Sequence, residues 1–457
     1  MTAHTPSRLV AHPSRLKTDN PPQLPGDKSI SHRALICAGL ATGTSRIHGL
    51  LEAHDVIATA GAVSALGAPC RKLENGTWQV NGHGAWQTPN QNLNLANSGT
   101  GARLLLGALA GQKLSATVCG DDSLSARPMK RVITPLAKMG AELHARQDEY
   151  LPVHIKGRRR LAPIDWRMRQ ASAQVKSAIM LAALAAPGET RITEPRPSRD
   201  HSERILPLFG ADIAVSEPAE GEESAGRMIC VRGECELRGA EVWVPADPSA
   251  AAFVVVAHLL AGEGDLTLRG VGVNPHRVGL FTCLREMGAE IEFTPANKNG
   301  AASGGEPVAD ILVRPFARAP EGVRVDARRA PAMIDEYPVL AVVAAAARGV
   351  TRLEGLAELR HKESDRFAAI LRLAGAAGAD AAREDGDAIE VRGCGGPPAG
   401  GGCIDAGGDH RIAMSALVLG LGCRRAVEVS GAEWIATSFP DFVGTFSALG
   451  ARIEATD

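Results

Sequence analysis

The 457-residue chain carries 50 basic and 51 acidic side chains, a formal charge of −1, with 45% hydrophobic and 22% charged residues. That composition can bury sizeable cores and excludes a disordered chain. The balanced charge excludes nucleic-acid binding through a global positive field. Domains of about 100–200 residues imply two to four of them. The longest strongly apolar runs, such as 339–347, fall well short of the ~20 residues that span a bilayer, so no membrane partner is expected. The first twenty residues lack an apolar core, which argues against a secretory leader and for a cytoplasmic location. Cysteines at 37, 70, 119, 230, 235, 283, 394, 403 and 423 form no CxxC pair and are expected to be reduced thiols.

Along the chain, helical stretches rich in Ala and Leu run over 35–41, 104–110, 179–186, 252–261, 340–348 and 416–420. Each is followed by a glycine (Gly43, Gly111, Gly188, Gly264, Gly349 and Gly422) and then a strand-like segment. Between them lies a second series of helices that end in Gly-Ala pairs, at Gly67, Gly140, Gly210, Gly288, Gly378 and Gly450. A glycine just past a helix takes the left-handed conformation that other residues resist. The alternation after it, as over 289–293, predicts a half-buried strand. Both series recur about every 75 residues and never fall out of step, which predicts six α/β or α+β units. Segments 219–226, 296–306 and 393–402 are rich in Gly, Pro or charge and are expected to be surface connections. The residues before Pro25 read as a poorly ordered extension.

Unusual polar residues gather where the first helix of each unit begins. They run over 25–33, 97–103, 172–177, 247–250, 335–338 and 409–411. Capping explains Asp247, Ser249 and Asp409, because such side chains satisfy the free amides of a first turn. It does not explain Lys28, Arg33 or Arg411, since cations are disfavoured at the positive end of a helix dipole. A cation belongs there if an anion also binds there. A second basic set, at 127–129, 198–204 and 359–366, precedes later helices. Together they predict a cleft for polyanionic small molecules. Gly26 to Ser29 matches only part of a P-loop. His32, His201, His361 and His410 lack metal-ligand spacing and read as hydrogen-bonded structural histidines, so no metal is expected. Cys119 reads as a buried strand residue. Taken alone, Asp335 reads as a helix cap and Glu363 as a first-turn charge.

Eight segments, over 25–33, 97–103, 120–129, 172–177, 198–204, 335–338, 359–366 and 409–414, resemble in order the motifs of the 5-enolpyruvylshikimate-3-phosphate synthases (3-phosphoshikimate 1-carboxyvinyltransferases). The resemblance covers nearly the whole chain and is nearest to the class II subgroup. It implies a two-lobed, inside-out α/β barrel of six βαβαββ-type units, three per lobe. The lobes would be 26–245 and 1–25 plus 246–457, with the N-terminal strand joining the second and the active site in the cleft between them. Such a split site is expected to close on ligand. The reaction implied is transfer of the enolpyruvyl group of phosphoenolpyruvate to the 5-hydroxyl of shikimate 3-phosphate, in the shikimate pathway of aromatic amino-acid biosynthesis. No cofactor is implied, and a monomer is expected.

By the same resemblance, Lys28, Ser29, Arg33, Ser172, Ala173, Gln174, Arg199, Asp335 and Lys362 would hold shikimate 3-phosphate. Lys28, Gly99, Arg127, Gln174, Arg366 and Arg411 would hold phosphoenolpyruvate. Asp335, Glu363 and Lys28 would be catalytic: Asp335 as base for the hydroxyl, Glu363 as acid for the methylene carbon, Lys28 aiding phosphate departure. Two features depart from better-known members. Ala173 replaces a serine, and Thr437 stands where a lysine would precede Phe-Pro. In glyphosate-tolerant members an alanine methyl fills the position of Gly99, so this chain is expected to admit glyphosate. The related transferase acting on UDP-N-acetylglucosamine usually has Lys-Asn at Lys28-Ser29 and a cysteine in the loop before Arg127; neither is present.

Overall fold

The computed structural model describes residues 5–18, 21–218, 226–296, 305–384 and 386–456. The chain divides into two compact units. The N-terminal unit is Gly26–Val244 with Ala302–Glu306; the C-terminal unit is Met1–Pro25, Pro245–Ala301 and Pro307–Asp457. Pro245 and residues 305–306 thus fall outside the lobes in which the sequence placed them.

The second repeat shows the plan of the others. Strand Leu93–Asn94 leads into helix Gly99–Ala110, strand Ser115–Cys119, helix Lys130–Lys138 and the hairpin strands Glu142–Arg146 and Tyr150–Lys156. The short first strand pairs parallel with the second (Leu93 opposite Val118), and the hairpin adds antiparallel. The third repeat (Asp165–Arg167, Glu189–Glu194, Asp212–Ser216, Arg227–Arg232) and the fifth (Arg324–Val325, Val350–Leu353, Asp380–Glu384, Ala388–Arg392) have the same strand order. The fourth sheet has three strands, and a single bridge from Ala246 to Val271 stands in for the short one.

The first and sixth repeats are completed by distant segments. Glu241–Trp243 pairs parallel with Thr42–His48, supplying the short strand of repeat one. Arg8–His12 lies between Val427–Ser430 and Arg452–Ala455, antiparallel to both, with Val10 opposite Glu428 on one side and Glu454 on the other. Leu9 and Ala11 are buried there. The expectation of a poorly ordered extension is therefore wrong for 8–12. Five residues of alternating character give little signal until two strands flank them.

The leading helices are apolar around most of their circumference, as befits elements buried on all sides. In the C-terminal unit Pro248–Ala261, Tyr337–Ala346 and His410–Gly422 pack on one another. In the N-terminal unit Gly99–Ala110 packs against Lys28–Leu40 and Ala173–Ala183. A Cβ at Gly107 would collide with the backbone of Ala178, so only glycine allows this approach. The sheets lie outside the helices and alternate buried and exposed residues, as along Tyr150–Lys156.

The second glycine series behaves as read: Gly67, Gly140, Gly210, Gly288, Gly378 and Gly450 all have positive φ, between 78° and 103°. The first series does so at Gly43, Gly188, Gly264 and Gly349 only. Gly111 caps its helix at φ −84°, and a Cβ there would come 2.7 Å from that of Ala185. Gly422 still belongs to its helix, where a Cβ would lie 3.1 Å from that of Leu260. These two are packing glycines. Of the expected loops, 219–225 and 297–304 lie outside the described residues, and 393–402 is largely irregular. Glu306 is no surface residue. It is 6% exposed, and its Oε1 lies 2.6 Å from His201 Nδ1.

Candidate active site

In the N-terminal unit the three leading helices start beside one another. Asp27 caps the first, accepting from the Ile30 amide at 2.9 Å. Lys28 follows, at the end of the dipole that disfavours a cation. Asp55, 5% exposed in its side chain, offsets this with Oδ2 at 2.5 Å from Lys28 Nζ. Arg33 is buried and donates to Ser202 Oγ (2.8 Å), Ser177 Oγ (2.7 Å) and the Ser29 carbonyl (2.9 Å). Burial lowers its pKa to about 10, with Glu203 the main opposing charge. His32 sits between Thr59 Oγ1 at 2.9 Å and Ser98 Oγ at 3.2 Å. Burial, then Lys28 and Arg33, hold its pKa well below 6.5, so the ring is neutral. Ser98 caps the second leading helix and Ser177 lies in the third, so these bonds fasten all three starts together.

Arg127 Nη2 donates to Asn97 Oδ1 at 2.5 Å and to Ser123 Oγ at 3.1 Å. Gly99 leaves room beside it: a Cβ there would stand 3.3 Å from Arg127 Nη1 and 2.9 Å from Arg103 Nη1. Gln174 accepts from Arg103 Nη1 and donates to Thr100 Oγ1, each at 2.8 Å. Ser172 caps the third helix through the Val175 amide, and Ala173 is its first residue. Arg199 is half-buried, and its charge contributes to lowering the pKa of Arg33. Its loop is anchored by Ser198 Oγ, which donates to Glu194 Oε2 at 2.6 Å. Glu194 and Glu203 in turn hold the fully buried Lys176 Nζ at 2.9 and 2.7 Å, with Arg227 alongside.

In the C-terminal unit Arg366, 1% exposed, binds three carboxylates. Nε donates to Asp409 Oδ2 (2.8 Å), Nη1 to Asp335 Oδ1 (3.0 Å) and Nη2 to Glu363 Oε2 (2.5 Å). Burial opposes its charge, but Asp409, Glu363 and Asp335 outweigh burial and raise its pKa. Lys362 Nζ lies 3.7 Å from Asp335 Oδ1, and Arg411 Nη2 lies 3.9 Å from Asp335 Oδ2. Asp335 thus faces three cations. Asp409 also caps its helix through the Arg411 amide at 2.9 Å. The readings of Asp335 as a helix cap and of Glu363 as a first-turn charge both fail. Glu336 precedes Tyr337–Ala346 without a side-chain cap bond, and Asp365 caps Arg366–Ala377, so both carboxylates stand outside their helices.

The residues named from sequence therefore form two groups. Lys28, Ser29, Arg33, Gly99, Arg127, Ser172, Ala173, Gln174 and Arg199 gather at three helix starts of the N-terminal unit. Asp335, Lys362, Glu363, Arg366 and Arg411 gather at those of the C-terminal unit. Sequence reasoning missed the partners: Asp55 for Lys28, Thr100 and Arg103 for Gln174, and Glu336, Ser249 and Arg277 around Arg411. No local signal marks Asp55, which lies in another helix. Glu336 was visible only as the neighbour of Asp335. Thr437 Oγ1 donates to the Trp434 carbonyl at 2.7 Å and supplies no cation. His361 is exposed rather than structural, and Cys119 is half-buried at a strand end. A surface hollow of about 370 Å³ lined by 42–44 and 236–239 holds none of these residues. Among the described residues no cluster of three or more His, Cys, Asp or Glu could hold a metal ion. Among the described residues no helix is long and apolar enough to cross a membrane.

Known proteins resemble the chain over nearly its whole length. The family profile described as EPSP synthase (3-phosphoshikimate 1-carboxyvinyltransferase) matches residues 12–446. A protein of Granulibacter bethesdensis named 3-phosphoshikimate 1-carboxyvinyltransferase is 51% identical over 438 residues, covering 95% of this chain and 94% of its own. One of the same name from Methylorubrum populi is 49% identical over 453 residues, 98% of each chain. The solved structure of EPSP synthase from Acinetobacter baumannii superposes with a TM-score of 0.85 at 38% identity, covering 98% of this chain and all of that one. The enolpyruvyl transferase NikO from Streptomyces tendae, at 20% identity and a TM-score of 0.79 over 99% of both chains, shares the fold. On this sequence and structural likeness, the chain belongs to the EPSP synthase (3-phosphoshikimate 1-carboxyvinyltransferase) family.

Proposed function

We propose that the two groups of side chains act together on one pair of substrates. The chain transfers the enolpyruvyl group of phosphoenolpyruvate to the 5-hydroxyl of shikimate 3-phosphate, releasing phosphate, in aromatic amino-acid biosynthesis. The substrates carry two phosphates and two carboxylates, which calls for the cations gathered at the helix starts. In this reading Lys28, Ser29, Arg33, Ser172, Ala173, Gln174, Arg199, Asp335 and Lys362 hold shikimate 3-phosphate. Lys28, Gly99, Arg127, Gln174, Arg366 and Arg411 hold phosphoenolpyruvate.

Asp335 takes the proton of the 5-hydroxyl as its oxygen bonds to C2 of phosphoenolpyruvate. Glu363 gives a proton to the C3 methylene, leaving a tetrahedral intermediate. The bond from C2 to the phosphate oxygen then breaks: Glu363 takes back a methyl proton, Asp335 gives its proton to the departing phosphate, and the enol ether and phosphate are released. Lys28, Arg127 and Arg411 stabilise the charge on the departing group. The observation that carries this reading is the guanidinium of Arg366, which holds Asp335 and Glu363 at hydrogen-bonding distance in one cluster. Asp335→Asn and Glu363→Gln should each lower kcat by about 10²–10⁴ with smaller changes in KM. Full kcat in both variants would remove the assignment.

Three finer points belong to the same proposal. Glyphosate, an anionic analogue in charge and size, fits beside Arg127 because Gly99 has no methyl. The chain acts as a monomer, since each copy carries both groups of residues. It works in the cytoplasm.

A further inference from the structure

Glu336 is a buried carboxylate at the C-terminal helix starts to which no role is yet given. It is 3% exposed and precedes Tyr337–Ala346, but its side chain makes no cap bond. Instead Oε1 accepts from Ser249 Oγ at 2.5 Å and from Arg411 Nη1 at 3.3 Å. Ser249 Oγ also accepts from Arg277 Nη2 at 2.9 Å, and the same nitrogen lies 3.0 Å from Asp247 Oδ1. Ser249 opens the leading helix of repeat four, Glu336 that of repeat five and Arg411 that of repeat six. One carboxylate therefore straps three helix starts. Arg411 Nη1 is held from two sides, by Glu336 Oε1 and by the Asp335 carbonyl at 3.2 Å. A guanidinium has a planar fork of donors, so fixing one nitrogen fixes the direction of the rest.

We propose that Glu336 is a positioning residue: it orients Arg411 for phosphoenolpyruvate through a strap that runs from Arg277 and Ser249. This rests on the reading that Arg411 holds phosphoenolpyruvate. Glu336 acts through Arg411 and does not touch substrate. Glutamine in its place keeps the shape and a bond to Ser249 but loses the charge that holds Arg411. Its effect should therefore fall on one substrate.

The test is steady-state kinetics of the full chain for both substrates, in wild type, Glu336→Gln, Arg411→Lys and the double variant. Glu336→Gln should raise KM for phosphoenolpyruvate about tenfold, lower kcat less, and leave KM for shikimate 3-phosphate unchanged. In the Arg411→Lys background the same change should have little further effect. An unchanged KM for phosphoenolpyruvate in a folded Glu336→Gln protein overturns the proposal. So does the same multiplicative change in both backgrounds. If Arg411→Lys alone leaves that KM unchanged, the role of Arg411 fails instead, and the two failures are told apart. Should Glu336→Gln not fold, Ser249→Ala in both backgrounds makes the same test from the far end of the strap, with a smaller rise expected.

Discussion

The Nε of Arg366 lies 2.8 Å from Oδ2 of Asp409, and neither side chain is more than 1% exposed. Asp409 thereby does two jobs, capping one helix and neutralising an arginine at the start of another. Removing one partner of such a buried pair leaves an uncompensated charge, at a cost of about 3–5 kcal/mol. Asp409→Ala should show that loss in urea unfolding. Its kcat/KM for phosphoenolpyruvate should fall by at least ~100-fold among the molecules that remain folded.

Lys176 separates stability from chemistry. It is fully buried between Glu194 and Glu203, in a cluster that anchors the loop bearing Arg199. Lys176→Met leaves two buried carboxylates without the ammonium between them, so about 3–5 kcal/mol of stability should be lost. At a temperature where the variant stays folded, KM for phosphoenolpyruvate should change little. Denaturant unfolding and kinetics on one preparation check both halves.

Gly99→Ala tests the space beside Arg127. The new methyl would meet Arg103 Nη1 at 2.9 Å and Arg127 Nη1 at 3.3 Å, so one guanidinium must shift. The inhibition constant for glyphosate should rise more than KM for phosphoenolpyruvate. Equal rises in both would show that the position does not discriminate.

His32 gives a pH dependence of known sign. In the unfolded chain a histidine ionises near 6.5; in the fold burial keeps His32 neutral to well below that pH. Between those two pKa values the unfolded chain binds more protons, so stability falls as pH drops below 6.5. The slope from this residue is at most about 1.4 kcal/mol per pH unit. His32→Gln should flatten the acid limb of stability against pH, whatever it does to stability at pH 8. Unfolding free energies measured from pH 8 to 5 in both proteins check this.

Much of this architecture was legible because six glycine-capped helices repeat in step. Gly67 through Gly450 mark helix ends by a conformation that only glycine takes readily, and so could be read locally. Gly111 and Gly422 looked the same in sequence but answer to Ala185 and Leu260, which are distant in the chain. Strands Arg8–His12 and Glu241–Trp243 carry little local signal for a like reason: each completes a repeat to which it is not adjacent, and only the family resemblance pointed to the first. At the site, Lys28, Arg33 and Arg411 were visible because cations defy the helix dipole. Their partners Asp55 and Glu336 break no local rule, and the second task of Asp409 was hidden behind an ordinary cap. Glu306 read as loop charge because nothing nearby announces His201.

The central proposal is that Arg127 and Asp335 both serve transfer from phosphoenolpyruvate to shikimate 3-phosphate. It is tested most directly by phosphate release from phosphoenolpyruvate in the presence of shikimate 3-phosphate, for wild type, Arg127→Ala and Asp335→Ala. The account predicts turnover by wild type only when both substrates are present, and a loss of at least ~100-fold in kcat/KM for each variant. Wild-type kcat/KM in either variant would contradict it.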